Sequence, residues 1–241
     1  MVSWNSLFTH MDWYGLLDLL ISAVAALLCI TLHELSHGFT AYRLGDPTAK
    51  NAGRLTLNPV RHIDPFGLVM MLVAKVGWAK PVPVDMRYFK HPKRGMAVTA
   101  LAGPASNFVL AFLAVALFSL VFRLPSVSDS FLLPLMLLQA FLANVAILSV
   151  GLGIFNLIPI SPLDGSKVLF SFLPDKVYMN ILRYERYVMI AVLLLTISGF
   201  FSRPLSWLIV RVLEGFCSLC GLSQGIEYLL AFSHLFQYFH F

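Results

Sequence analysis

Charge is scarce in this chain. Only 12% of its 241 residues are Asp, Glu, Lys or Arg, whereas 59% are hydrophobic. Soluble domains carry about 25% charged residues, so the polar surface is too small to cover a water-soluble fold of this length. An integral membrane protein is expected. Cysteine is scarce as well, and Cys29, Cys217 and Cys220 supply no disulfide framework. The lone C-x-x-C of Cys217 and Cys220 lies in an apolar segment with no second pair to complete a zinc site. It reads as small apolar filling. No solvated basic patch interleaved with reading residues is present, which excludes nucleic acid as a partner. Repeats, low-complexity tracts and sizeable polar modules are all missing, so a single membrane-embedded domain over residues 1–241 is expected.

What is present is a series of long apolar runs. A transmembrane helix needs about 20 mostly apolar residues. Runs of that kind cover residues 14–42, 96–122 and 131–158, with further candidates at 187–201 and after Pro204. The expected fold class is an all-α polytopic membrane protein with about five transmembrane helices. The residues before the first run hold Asp12 but no Lys or Arg, unlike the start of a cleaved signal peptide. "FGLVMMLVAKVGW" (66–78) is too short to span. It fits a re-entrant or β-hairpin insertion between the first two spans, with a strand edge on which an extended peptide could pair. Ten of the 17 basic residues lie between Arg43 and Arg94. By the positive-inside rule this segment is cytoplasmic and the N-terminus is outside. Residues 160–186, with Lys167, Lys176, Arg183 and Arg186, then fall on the cytoplasmic side too.

At the inner end of the first run stands "LLCITLHELSHGFTAY" (27–42). His33 and His37 are four apart and share one helical face, so both imidazoles can bind one tetrahedral zinc ion. Glu34 is rotated about 100° around the axis. It stays free to take a proton from water, which is the mechanical content of H-E-x-x-H. Unpaired ionisable groups within a membrane cost at least a few kcal/mol each, and a metal supplies the missing partner. A catalytic zinc usually has three protein ligands. Asp164 in "NLIPISPLDGSKVL" (156–169) is the candidate third, because topology returns it to the same membrane level. Pro159 and Pro162 break regular helix there, and Gly165 permits unusual dihedrals. The competing reading makes Asp164 an N-cap of a helix starting near Gly165. His62 and Asp64 either orient a zinc ligand from behind or shape a turn into the insertion.

HELSH in the first span, "GPASN" (103–107) in the second and "NLIPISPLDG" (156–165) after the third together resemble the site-2 protease family of intramembrane zinc metalloproteases. "LNPVRHIDPFG" (57–67) and "WAKPVPVD" (78–85) look like a short bacterial subgroup without a PDZ domain. The resemblance covers about residues 14–172, the expected catalytic core, and leaves 173–241 as accessory helices. It implies one Zn2+ held by His33, His37 and Asp164, with Glu34 as general base and later proton donor. It implies that Asn107 and Asn156 hold substrate backbone or help stabilise an oxyanion. Read from the residues alone, each asparagine serves helix–helix hydrogen bonding equally well. The implied partners are the lipid bilayer and a transmembrane protein substrate, cleaved within or near its membrane segment. The location is a cell (inner) membrane, with the active site toward the cytoplasm. The alternative is a zinc-binding membrane protein without peptidase activity, a transporter or an inactive relative. It is disfavoured because a transporter would carry polar groups through several spans, whereas here they collect at one level.

Overall fold

The computed structural model describes residues 13–67, 79–124, 129–222 and 225–233. Helix α1 spans Trp13–Arg43, and a short α2 covers Thr48–Asn51. After 3-10 turns at Pro59–His62 and Met86–Tyr88 come α3 (Pro92–Phe122) and α4 (Asp129–Leu157). The chain ends in α5 (Asp164–Phe170), α6 (Asp175–Ile197), α7 (Ser202–Leu219) and α8 (Gly225–Phe232). At 1.5 Å per residue, the 31 residues of α1 and of α3 reach about 46 Å. That exceeds the hydrocarbon thickness of about 30 Å, which leaves room for one polar end each, residues 33–43 in α1 and 92–94 in α3.

Helices α1, α3 and α4 are each long and apolar enough to cross a membrane, and they coincide with the first three expected spans. The remaining two differ from expectation. Arg186–Ile197 and Ser202–Leu219 bend by 78° at the break between them. Gly199 sits in that break with φ +75°, a conformation a glycine adopts without steric cost. The apolar part of α6, Arg186–Ile197, reaches only about 18 Å, too short to cross alone. The described residues therefore hold three helices long and apolar enough to span, or four spans with the bent pair as one broken span, in place of about five.

The small side chains Ala25, Cys29, Ala111, Ala114, Ala143 and Ala146 line the contacts among α1, α3 and α4 and are almost fully buried. In lipid, helix association depends on such close approach rather than on excluding water. Helix α7 adds a single stripe of Ile209, Leu213 and Cys217, which places Cys217 in the apolar core as filling. Ser22 Oγ donates to Asn144 Oδ1 at 3.0 Å, and Cys29 Sγ meets Ser149 Oγ at 3.1 Å. These polar links fix the register of α1 against α4.

The insertion expected over 66–78 lies almost wholly outside the described residues. Its base is described. Ile63 and Ala79 form an isolated antiparallel bridge, and Lys80 N donates to His62 O at 2.9 Å. No longer strand occurs among the described residues. His62 Nε2 approaches Thr56 O at 2.9 Å, while Asp64 Oδ1 accepts from Phe66 N and Gly67 N. Both residues thus shape the turn, and neither reaches the zinc-site candidates.

Candidate metal centre

The inner part of α1 presents His33 and His37, both buried, on one face. Their Nε2 atoms lie 3.0 Å apart. Asp164 reaches the same point from the start of α5, with Oδ2 at 3.2 Å from His33 Nε2 and 3.0 Å from His37 Nε2. The three potential ligand atoms all fall within 4.8 Å of one another. The competing N-cap role is not adopted: Leu163 occupies the N-cap position, and Asp164 is the first helical residue.

Two glycines make this convergence possible. A Cβ at Gly103 would overlap His37 Nε2 and the Cε1 atoms of both rings, so α3 lies flat against the imidazoles only with glycine there. A Cβ at Gly165 would collide with the backbone of Leu157 and Ile158 at the end of α4. The sequence points to dihedral freedom at Gly165, but its backbone is ordinary helix and space is the constraint. Pro159 and Pro162 do stand in the break between α4 and α5, as expected.

The donor set fits a metal ion. A carbonyl only accepts, so Thr99 O, 2.7 Å from His37 Nδ1, fixes the His37 proton on Nδ1. In the neutral ring the Nε2 lone pair then faces the Asp164 carboxylate and His33 Nε2. Those groups repel unless a cation sits among them. Asn107, fully buried on α3, lies 3.2 Å through Nδ2 from His33 Nδ1, and its Oδ1 has no hydrogen-bond partner. A half-turn of the amide exchanges the two ends. Oδ1 then accepts from His33 Nδ1–H, and His33 takes the same ligand tautomer as His37. Two imidazoles and one carboxylate form a set that zinc accepts, with a fourth position left for water or substrate.

Four contacts at the site carry no signal in the sequence reading. Lys167 Nζ holds Asp164 Oδ1 at 3.0 Å, leaving Oδ2 for the imidazoles. The i,i+3 spacing on a short helix is the pattern that would have shown it. Thr99 and Val82 act through their backbones, and Gly103 acts by having no side chain. Val82 N donates to Glu34 Oε2 at 2.8 Å, while Glu34 Oε1 has no hydrogen-bond partner among the described residues. Asn156 donates through Nδ2 to Leu152 O, 2.9 Å away on its own helix, and no described contact links it to His33, His37 or Asp164.

Fold and site together define a multi-pass helical membrane protein with a buried two-histidine, one-carboxylate cluster. Residues 21–197 match the model of peptidase family M50, and this chain belongs to that family of metalloproteases. It is 38% identical over 180 residues to "Putative zinc metalloprotease YwhC" of Bacillus subtilis (strain 168), covering 73% of this chain and 79% of that protein. It is 31% identical over 193 residues to "Putative zinc metalloprotease Rip2" of Mycobacterium tuberculosis (strain ATCC 25618 / H37Rv), covering 76% and 70%. No solved structure matches this chain.

Proposed function

We propose that this chain is an intramembrane zinc endopeptidase that cuts other membrane proteins within or near their transmembrane segments. One observation carries the reading. Two buried imidazoles and a buried carboxylate, from segments far apart in sequence, meet beside a glutamate in a chain otherwise made of apolar helices. His33, His37 and Asp164 would hold a single zinc ion. When bound, zinc supplies Lewis acidity toward the scissile carbonyl and toward water. Asp164 and Glu34 together bring two negative charges that balance the ion. Glu34 accepts the proton of the attacking water on its free Oε1 and returns it to the departing amine. The position of Asn107 behind His33 supports a role in orienting that ligand. A substrate helix hides its peptide bonds in i to i−4 hydrogen bonds, so it must unwind before its carbonyl reaches the site. The basic segment between Arg43 and Arg94 supports an orientation with the site toward the cytoplasm and the N-terminus outside.

The test uses purified wild-type and Glu34→Gln protein with lysine-flanked apolar peptides of about 25 residues, long enough to span a bilayer. Wild type is expected to cleave and the variant to lose at least about a hundredfold in rate. Both should hold equal zinc. A zinc-loaded variant that cleaves at the wild-type rate removes Glu34 from its assigned role. Zinc retained by both proteins without any cleavage favours the non-catalytic alternative.

A further inference from the structure

Residues 80–85 cross the Glu34 face of α1 as an extended strap fastened by groups from residues 34–62, while its last residue, Asp85, also pairs with Arg87. Lys80 N donates to His62 O at 2.9 Å. Arg54 Nη2 donates to Lys80 O and, at 3.3 Å, to Pro81 O. Val82 N donates to Glu34 Oε2 at 2.8 Å, and Asp85 N donates to Asp46 Oδ2 at 2.7 Å. Arg54 is 6% exposed and Asp46 fully buried. Burying two charged side chains is costly unless they are paired; here Asp46 and the Nη2 of Arg54 are both used on the strap's backbone, while Arg54 Nε is buried without a partner. Asp46 also accepts from Thr48 N at 2.9 Å and from Thr48 Oγ1, which anchors it to the start of α2.

The middle of the strap reads Pro81-Val82-Pro83. Proline has no N–H, so Val82 holds the only amide hydrogen of the three. Pro83 also restricts Val82 to extended backbone, which presets the direction of that N–H. Gly38, one helical turn beyond Glu34, brings the strap close: a Cβ there would come to 2.7 Å from Leu55 Cδ2 and 3.0 Å from Val82 Cγ1. A glutamate otherwise samples several rotamers. A charge-assisted hydrogen bond from a fixed amide removes that freedom at one oxygen and leaves the other open.

We propose that the Val82 backbone N–H is a positioning donor for Glu34, holding Oε2 so that Oε1 is set to receive the proton, with Arg54 and Asp46 fastening the strap that carries it. The inference rests on Glu34 being the proton acceptor.

The test compares Val82→Pro, which deletes the N–H while keeping extended backbone, with Val82→Ala, which keeps the N–H and trims the side chain. Both are assayed as zinc-loaded full chain on the best-cleaved lysine-flanked peptide, with kcat, KM and zinc content measured separately. Val82→Ala should keep kcat within about threefold. Val82→Pro should lower kcat at least about tenfold, a part of the 10²–10⁴ that a positioned acid–base group contributes. KM and zinc content should stay near wild type. Equal kcat in the two variants overturns the proposal, as does a loss confined to KM. If Val82→Pro fails to retain zinc, Arg54→Gln decides: it loosens the strap without touching Val82, and an unchanged kcat there also overturns the proposal. Glu34→Gln runs alongside. Activity in that variant would sink the Glu34 role itself, whereas an inactive Glu34→Gln with a fully active Val82→Pro would sink only the positioning role.

Discussion

At the scale of single residues, the chemistry-bearing side chains announce themselves and their supports do not. His33, Glu34 and His37 are legible because four-residue spacing on a helix is a geometric statement. Lys167 shows what a short motif omits. Its Nζ occupies Asp164 Oδ1 at 3.0 Å and leaves Oδ2 facing the imidazoles. Lys167→Met should therefore weaken zinc retention about tenfold, within the 10–100-fold range for groups that orient a ligand from behind. Lys167→Arg should hold close to wild type. A chelator competition titration reads the difference directly, and an unshifted midpoint in the methionine variant counts against this role. Thr99 was invisible because its contribution is a carbonyl, which every residue has. Gly103 was invisible as a site residue because what matters is the side chain it lacks.

At the scale of elements, α5 is the piece whose placement decides whether Asp164 reaches the two imidazoles. Its first residue is Asp164 and its second is Gly165, lodged against the Leu157 and Ile158 backbone. Gly165→Ala forces those segments apart. Overpacking of this kind costs about 1–3 kcal/mol, here at a point that also displaces Asp164. A lower melting temperature in detergent together with lost zinc is expected; a variant with full zinc and unchanged melting would show that the contact relaxes freely. The prolines at 159 and 162 made the break between α4 and α5 legible, but the tightness at Gly165 depends on where α4 ends in space. Spans were legible for α1, α3 and α4, whose apolar runs are long and continuous. They were not for α6 and α7, because two helices joined by a sharp turn at Gly199 read as two spans when hydropathy alone is used.

At the scale of the whole molecule, the proposed direction of the chain in the bilayer rests on charge placement. Residues 43–94 hold ten of the 17 basic residues, and the orientation we propose from the positive-inside rule sets them in the cytoplasm. Lys90 is exposed on that segment, whereas Cys29 and Cys217 are buried and Cys220 is partly covered. A Lys90→Cys variant lacking the native cysteines should react with a membrane-impermeant maleimide in inside-out vesicles and stay unlabelled in intact cells. Labelling from the outside would invert the orientation, and with it the side from which water and substrate enter.

Ala79, which pairs with Ile63, stands only three residues before Val82. The imidazoles lean instead on Thr99 and Asn107 of α3. A displacement of the Ile63–Ala79 pairing would travel along a short, stiff beam, Pro81-Val82-Pro83, to the Glu34 carboxylate while bypassing the histidines. Under the proposed roles, the protein has two ways to fall silent: empty, when α3 or α5 slips, or fully loaded but idle, when the beam is tugged.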